Sequence, residues 1–261
     1  MKFTHKGFII ALRISLGIAL RKEDYMFFKT DNVIDTHDVD HNGVARLSSL
    51  MRYIQSCAEA QLSSGGMSYD ELRAVNRAFI LSKIKLEFTE PLRVDDKICS
   101  ITYPCESHGF GFWRCYAMEK NGVTIGRAIS LWALIDTETR ALVRVNDFEL
   151  GLETHEPLAL SLGRFKFPTD FLDVDEYRVR YADLDRNGHM NNTRYPDMYS
   201  DFLPMDGKRI HTIAINYQNE ARPKEKLRIH IAKSSENLFY IRSIREDGLV
   251  NSEAEILLVD I

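Results

Sequence analysis

The chain has 261 residues, of which 44% are hydrophobic and 28% are charged, so it can form one or two globular domains with a substantial core. Its formal net charge of −4 gives no reason to expect nucleic-acid binding. The four cysteines lie in the first half without a Cys-x-x-Cys pair, which favours reduced thiols over a disulfide framework or a metal site. The residues suggest no metal and no organic cofactor.

The N-terminal residues contain an apolar run from Phe8 to Leu20 that follows two lysines. A secretory signal has a similar pattern, but Arg13 interrupts the run and no clear small-residue cleavage site follows it. The run is also shorter than the ~18 apolar residues of a membrane span. We therefore interpret residues 1–25 as an extension of a cytoplasmic protein without stable membrane insertion, with Met26 as an alternative start. A cleaved signal or a helix lying on a membrane surface is the alternative interpretation.

A short phrase then occurs twice in the chain. HDVDHNGV at residues 37–44 returns as ADLDRNGH at residues 182–189, so two Asp, one Asn and one Gly recur 145 positions later, whereas Val44 is replaced by His189. Apolar residues at helical spacing follow each phrase. They are Leu47, Leu50, Met51, Ile54 and Ala58 after the first phrase and Tyr195, Met198, Tyr199 and Phe202 after the second.

The strands that follow also repeat. Ile84, Leu86 and Phe88 align with Ile213, Ile215 and Tyr217 at a spacing of 129 positions, so the second half is shorter, as we interpret it by one short loop. Residues 118–123 and 244–249 both have the pattern of strand, tight turn and strand. The sequence therefore predicts two copies of one α+β unit, residues 26–150 and 173–261. Residues 151–172, which contain Pro157 and Pro168, form the linker between them.

The second phrase carries side chains suited to chemistry. Asp185, Asn187 and His189 alternate along the chain, so in an extended segment or turn they can project to one side. Asn187 with Gly188 favours a turn, and Asn191 or Asn192 can cap the following helix. An amide can hold a carbonyl oxygen, an imidazole can transfer protons near neutral pH and a carboxylate can orient a partner, so the set suits hydrolysis.

Two simpler interpretations of the phrase compete with this one. Asp-x-Asp-x-Asn-Gly is also typical of the start of a calcium-binding loop, but the twelfth position holds Ser49 in one copy and Arg194 in the other, where that loop needs Glu. The phrase can also be only a helix-capping turn. We adopt the second interpretation for the first copy, where Val44 has no titratable group, and keep it as the alternative for the second.

The second phrase resembles a family signature. Residues 184–192, Leu-Asp-Arg-Asn-Gly-His-Met-Asn-Asn, followed by Tyr195, are similar to the LDxNxHxNNxxY motif of the acyl-ACP thioesterases. The resemblance implies an α+β tandem hotdog fold, in which two joined, curved antiparallel sheets each wrap around a central helix. It also implies hydrolysis of the thioester that tethers an acyl chain to acyl carrier protein, which releases a free fatty acid and ends chain elongation.

The resemblance adds Glu220 to Asp185, Asn187 and His189 as a catalytic residue. Plant members have a Cys after this Glu where this chain has Ala221, so we expect direct attack by water. Glu220 with Asp185 would activate or position the water, and Asn187 with His189 would bind and polarise the thioester. Strict alternation places Glu220 on the face of its strand opposite Ile213, Ile215 and Tyr217. A bend or bulge near Asn219, or an early end of the strand, is needed to bring it inward.

The expected substrate is acyl carrier protein bearing an acyl-phosphopantetheine thioester. The first half lacks a catalytic set, so we place the acyl chain there. The candidate substrate-binding residues are Met51, Ile54, Ile84, Asn191, Asn192, Arg222 and Lys224, of which the last two belong to a basic rim for the acidic carrier, together with Lys208, Arg209, Lys226 and Arg228. Alternatives are an acyl-CoA thioesterase and a non-catalytic acyl-binding protein, whereas a hotdog dehydratase is disfavoured. Both halves lie in one chain, so a monomer suffices, and a homodimer is compatible.

Overall fold

The computed structural model describes residues 27–261. The N-terminal extension and the candidate start at Met26 lie outside the described residues. Within residues 27–261, no helix combines the length and the apolar composition needed to cross a membrane.

The first half contains six strands and two helices. Their order is β1 (Phe28–Val33), α1 (Leu47–Ser64), α2 (Tyr69–Ala74), β2 (Arg77–Phe88), β3 (Lys97–Pro104), β4 (Gly111–Lys120), β5 (Val123–Asp136) and the short β6 (Leu142–Val143). The predicted strand, turn and strand over residues 118–123 is confirmed by β4 and β5. The helix predicted after the first phrase is confirmed by α1, which buries the predicted apolar positions.

The second half contains five strands and one short helix. Their order is β7 (Leu172–Arg178), α3 (Tyr195–Ser200), β8 (Lys208–Tyr217), β9 (Lys226–Lys233), β10 (Leu238–Ile244) and β11 (Val250–Asp260). Between β6 and β7 the chain has one short 3-10 turn, Val145–Asp147, and otherwise irregular structure. The domain limits near residues 150 and 172 stay predictions.

All strands of residues 27–261 join one eleven-stranded sheet with the order β1-β3-β4-β5-β2-β8-β11-β10-β9-β7, and β6 pairs with β5 at its side. Its neighbouring strands are antiparallel, including the β2–β8 pair that joins the halves. The second half of this order repeats the first half in reverse, with β7 corresponding to β1 and β8 to β2. The predicted tandem hotdog with joined antiparallel sheets is therefore confirmed.

The central helices of the two halves differ in length. Helix α1 has 18 residues, whereas α3 has 6 and ends before Phe202, so the prediction that Phe202 continues the helix is wrong. Pro204 disfavours helical backbone at the residue before it, which explains the early end. The interpretation of the length difference as one short loop is also wrong. The second half has no counterpart of the C-terminal part of α1 or of α2.

The core extends through both halves. One buried apolar cluster includes Met51 of α1, Ile84 of β2, Tyr199 of α3 and Ile256 of β11. A smaller cluster lies under the linker, where Leu160 packs on Cys105 and Cys115. All four cysteines are free thiols, and only Cys99 is partly exposed. The linker therefore packs against the sheet of the first half.

Candidate active site

The second phrase forms a closed turn around the Asp185 carboxylate. Oδ1 of Asp185 accepts the backbone N–H of Asn187 at 2.8 Å and that of His189 at 3.2 Å. The Asp185 N–H donates to the His189 carbonyl oxygen at 2.8 Å, and Gly188 has φ +78°, a conformation that favours glycine. The turn thus fixes the backbone from which the Asn187 and His189 side chains project.

The first phrase forms the same turn without the imidazole. Oδ1 of Asp40 accepts the N–H of Asn42 at 2.9 Å and that of Val44 at 3.1 Å. Gly43 has φ +69°, as expected for the equivalent of Gly188. The residues that recur therefore build the turn, and the residue that differs determines whether the turn presents a titratable group.

Glu220 reaches His189 because β8 ends early. The strand stops at Tyr217, and the N–H groups of Gln218 and Asn219 then both donate to the Asn251 carbonyl oxygen, at 2.8 and 3.1 Å. This break in the alternation places Oε2 of Glu220 3.4 Å from Nε2 of His189. The expected early strand end is therefore present, and the two side chains are both about one-third exposed.

A backbone hydrogen bond fixes these two segments to each other. The Met190 N–H donates to the Ala221 carbonyl oxygen at 3.0 Å, so the residues that follow His189 and Glu220 are in direct contact. The Ala221 side chain is fully buried in the core. Its position therefore directs a side chain into the interior, away from the partly exposed side chains of His189 and Glu220.

The first half holds the Asn187 amide. Oδ1 of Asn187 accepts the Tyr69 hydroxyl at 2.9 Å and also accepts the Arg73 guanidinium, both from α2. Its Nδ2 donates to Oδ2 of Asp185 at 3.2 Å. These three contacts define which end of the amide is oxygen, and they leave one N–H of Nδ2 for another acceptor.

The first half also contacts Glu220. Nη2 of Arg140 lies 3.1 Å from both Oε1 and Oε2 of Glu220. Arg140 follows β5, in the turn that leads to β6, and adopts φ +62°. In the catalytic turn itself, Arg186 forms an ion pair with Asp70 of α2 at 2.9 Å and lies 4.0 Å from the centre of the Tyr69 ring. The site is thus built across the boundary between the halves.

Sequence reasoning missed Tyr69, Arg73 and Arg140. Helix α2 has a visible signal, since Ser68 and Glu71 form a capping box. That signal predicts a helix but not the distant turn that the helix contacts. Arg140 lies in an exposed hairpin and has no signal in the sequence at all.

A cavity of about 580 Å³ lies at the first turn rather than at His189. Val44, Leu50 and Pro91 line it from the first half, and Arg194 and Arg209 line it from the second. Val44 and Pro91 stand where the other copy has His189 and Glu220. This side is open because the second half has no counterpart of α2 to cover it.

Family models match both halves of the chain. The acyl-ACP thioesterase N-terminal domain matches residues 26–150, and the acyl-ACP thioesterase C-terminal domain matches residues 168–258. The chain belongs to the acyl-ACP thioesterase family. The resemblance read from residues 184–192 is therefore confirmed.

Individual members of the acyl-ACP thioesterase family are more distant in sequence than in fold. Oleoyl-acyl carrier protein thioesterase 2 of Arabidopsis thaliana chloroplasts is 25% identical over 232 residues, which cover 77% of this chain and 61% of the plant protein. A palmitoyl-acyl carrier protein thioesterase of the same plant is 20% identical over 78% of this chain and 54% of its own length. The chain thus spans less than two thirds of these relatives.

Two solved structures share the fold over almost the whole chain. An acyl-ACP thioesterase from Bacteroides thetaiotaomicron superposes with a TM-score of 0.83 at 24% identity, covering 92% of this chain and 100% of that one. The 12:0-ACP thioesterase from Umbellularia californica superposes with a TM-score of 0.77 at 16% identity, covering 94% and 100%.

The candidate acyl-chain residues Met51, Ile54 and Ile84 lie in the closed core between α1 and the sheet, with at most 2% of each exposed. Asn191 caps the 3-10 turn before α3, because its Oδ1 accepts the Thr193 N–H at 2.9 Å. The Asn192 carbonyl oxygen accepts the Tyr217 hydroxyl at 2.9 Å. A substrate contact for any of these five stays a prediction.

The basic residues predicted around the site fall into two groups. Arg222 and Lys224 are exposed and follow Glu220 directly. Lys208 and Arg209 lie at the other end of β8, about 30 Å away at roughly 3.3 Å per residue, so placing them at the same site is wrong. Arg209 instead donates to the carbonyl oxygens of Phe88 and Thr89 at 2.9 and 2.8 Å.

Among residues 27–261 no group of three or more His, Cys, Asp or Glu side chains is close enough to hold a metal ion.

Proposed function

We propose that this protein hydrolyses the thioester of acyl chains carried on acyl carrier protein and releases free fatty acid. The observation that carries the proposal is the contact of His189 with Glu220, 3.4 Å apart and both partly exposed. Asn187 projects from the same turn as His189 with an unused amide proton. Membership of the acyl-ACP thioesterase family supports the choice of substrate.

The geometry supports a direct attack by water. Glu220 accepts a proton from a water molecule as its oxygen attacks the carbonyl carbon, and the free N–H of Asn187 stabilises the developing oxyanion. The carbon–sulfur bond then breaks, and protonated His189 gives its proton to the departing sulfur. The proton on Glu220 crosses the short contact to restore His189. One thioester and one water thus become one carboxylic acid and one thiol.

Asp185 has a different role from Glu220 in this scheme. Both of its carboxylate oxygens accept hydrogen bonds from the turn, at 2.8 to 3.2 Å. Asp40 makes the same backbone contacts in the copy that lacks His and Glu. We therefore assign Asp185 to positioning the turn and Glu220 to activating water.

A thiol mechanism has no support at the site. The residue that follows Glu220 is Ala221, where plant members of the family have a Cys, and its side chain is buried. Cys57, Cys105 and Cys115 are buried in the first half, which contains no counterpart of the His189–Glu220 pair. Replacing all four cysteines by Ala should leave the chemistry of hydrolysis intact in a folded protein.

We propose that the acyl group is carried by acyl carrier protein rather than by coenzyme A. Arg222 and Lys224 form the basic rim that contacts this carrier protein. A cytoplasmic location fits this carrier. One chain contains both halves of the site, so a monomer is sufficient, and a homodimer is compatible. An acyl-CoA thioesterase is the second candidate, because the chemistry at His189 is the same whether the thioester is carried by acyl carrier protein or by coenzyme A.

The decisive experiment measures thiol release from acyl carrier proteins loaded with acyl chains of graded length, with the same acyl groups on coenzyme A in parallel. Faster release from the carrier-bound series is expected. Equal or faster release from coenzyme A would replace the proposed substrate by the second candidate. Binding of acyl thioester without thiol release would show a non-catalytic acyl-binding protein and overturn the hydrolase.

A further inference from the structure

We infer that the first half supplies three positioning residues to the catalytic turn of the second half: Tyr69 and Arg73 orient Asn187, and Arg140 orients Glu220. The inference rests on the proposed function and extends it. The first half, which has no catalytic residues of its own, thus contributes side chains that position the catalytic residues of the second half. We call Tyr69 and Arg73 together the α2 clamp.

The α2 clamp determines what Asn187 can do. Tyr69 and Arg73 both donate to Oδ1, so the amide nitrogen must face Asp185. Without these donors, only the contact with Asp185 would resist rotation of the exposed amide. The positive charge of Arg73 on Oδ1 also polarises the amide, which strengthens the N–H that is left for a substrate oxygen.

The first turn shows what the site becomes without such a clamp. Asn42 corresponds to Asn187, and its Nδ2 is buried with no hydrogen-bond partner among the described residues. The second half has no helix equivalent to α2 that could reach it. A held amide therefore occurs at the turn that has His189 and not at the turn that has Val44.

Arg140 fixes the direction of the Glu220 carboxylate. One nitrogen of Arg140 touches both carboxylate oxygens, which holds the end of the Glu220 side chain in place, and in this position Oε2 lies 3.4 Å from Nε2 of His189. The side chains of Arg140 and Glu220 are 60% and 35% exposed, so this ion pair contributes little to folding stability. The ion pair instead serves to place the Glu220 carboxylate, the proposed general base, beside His189.

The test measures kcat and KM for Arg73→Ala, Tyr69→Phe and Arg140→Ala on a carrier-bound acyl thioester. We expect kcat to fall about ten- to hundredfold for the two arginine variants, with KM nearly unchanged, because misplacing a catalytic group by about 1 Å costs of this order. Arg73→Lys should recover part of the loss. Arg127→Ala is the matched control, since Arg127 pairs with Glu87 across β5 and β2 and touches none of these residues.

Double variants separate positioning from a general structural effect. Arg73→Ala should have no further effect in an Asn187→Ala background, and Arg140→Ala none in a Glu220→Gln background. The side-chain amide resonances of Asn187 in nitrogen-15 spectra should shift in Arg73→Ala and stay in place in Arg127→Ala. This second readout does not require activity.

If the unsubstituted protein is active and both arginine variants keep its full kcat, the inference is wrong and the proposed function stands. The same holds if the effects of the two substitutions add fully in the double variants. Absence of thiol release by the unsubstituted protein would overturn the proposed function, and the inference with it. All substituted side chains are at least partly exposed, so folded variants are expected. Circular dichroism and thermal unfolding verify the fold before kinetics are compared.

Discussion

Ile84 pairs with Ile215 where strands β2 and β8 join the two halves, and the next inward-facing pair is Leu86 with Ile213. The sequence repeat aligns Ile84 with Ile213 and Leu86 with Ile215. Ile84 therefore pairs with the equivalent of Leu86, and Leu86 pairs with the equivalent of Ile84, which is the pattern of a two-fold axis between the strands. The axis makes Val44 the counterpart of His189 and Pro91 the counterpart of Glu220.

The missing counterpart of α2 predicts that restoring His and Glu at the first turn will not create a second active site. We expect Val44→His with Pro91→Glu, placed in a His189→Ala background, to hydrolyse no faster than His189→Ala alone. The first turn would have its imidazole and carboxylate, but no helix α2 would hold Asn42. Thiol release from a carrier-bound acyl group measures the outcome, and a gain of about tenfold or more would contradict it.

Local patterns predicted much of this molecule. The turn at Asp185 follows from an Asn-Gly pair with a carboxylate two residues earlier, and the buried face of α1 follows from spacing alone. The contact of His189 with Glu220 required a break in strand alternation, which the sequence showed to be necessary near Asn219 but whose form it could not give. The two backbone donors that share the Asn251 oxygen provide it.

Contacts between the halves could not be predicted in this way. The length difference between the halves is visible in the sequence, yet only packing shows that the extra residues of the first half form α2 and contact Asn187. The distance of Lys208 from Glu220 was missed for a related reason. Lys208 begins β8 and Glu220 follows its end, and an extended strand separates its ends by far more than a helix with the same number of residues.

Loss of either Asn187 or His189 should reduce turnover strongly. We expect Asn187→Ala and His189→Ala each to lower kcat by at least about 10², the usual effect of losing a preorganised donor or an acid–base group. His211→Ala is the matched control, because His211 lies on β8 and bonds to the Phe88 carbonyl oxygen at 2.8 Å. Substantial activity in His189→Ala would remove the imidazole from the mechanism.

The two carboxylates should respond differently to replacement by their amides. In Asp185→Asn the side-chain oxygen can still accept the N–H groups of Asn187 and His189, so the turn should persist and kcat should fall about tenfold. In Glu220→Gln no base is left beside His189, and a loss of about 10² to 10⁴ is expected. Steady-state kinetics at one pH compares them. Equal losses would indicate that Asp185 also takes part in proton transfer.

Charge reversal at Arg222 and Lys224 tests the basic rim. The double variant Arg222→Glu, Lys224→Glu should raise KM for carrier-bound substrate about tenfold at low salt, because opposite charges on the acidic carrier would become like charges. The rate on acyl-pantetheine, which has no carrier protein, should not change. Lys97→Glu is the control, because Lys97 is an exposed residue of β3, which lies next to the edge strand β1 in the first half. An unchanged KM for carrier-bound substrate would move the docking surface elsewhere.

His230 should make the fold sensitive to mild acid. Burial lowers the pKa of His230 below its ordinary value of 6.5; the charges of Arg228 and Arg242 lower it further, and Asp173 partly opposes them. The folded state therefore binds the proton less readily than the unfolded state, so the stabilisation is complete above pH 6.5 and is lost as pH falls through the folded-state pKa.

Urea unfolding at pH values between 7.5 and 5 should show this loss with a slope of at most about 1.4 kcal/mol per pH unit. His230→Phe and His230→Gln should both reduce the slope, since neither side chain titrates. They differ in packing, because His230 stacks on Phe171 with ring centres 4.4 Å apart and Phe can keep this contact whereas Gln cannot. If both variants show the same reduced dependence of unfolding free energy on pH but differ in absolute stability, the pH effect belongs to the His230 imidazole. If both variants keep the wild-type pH dependence, the effect belongs to other groups.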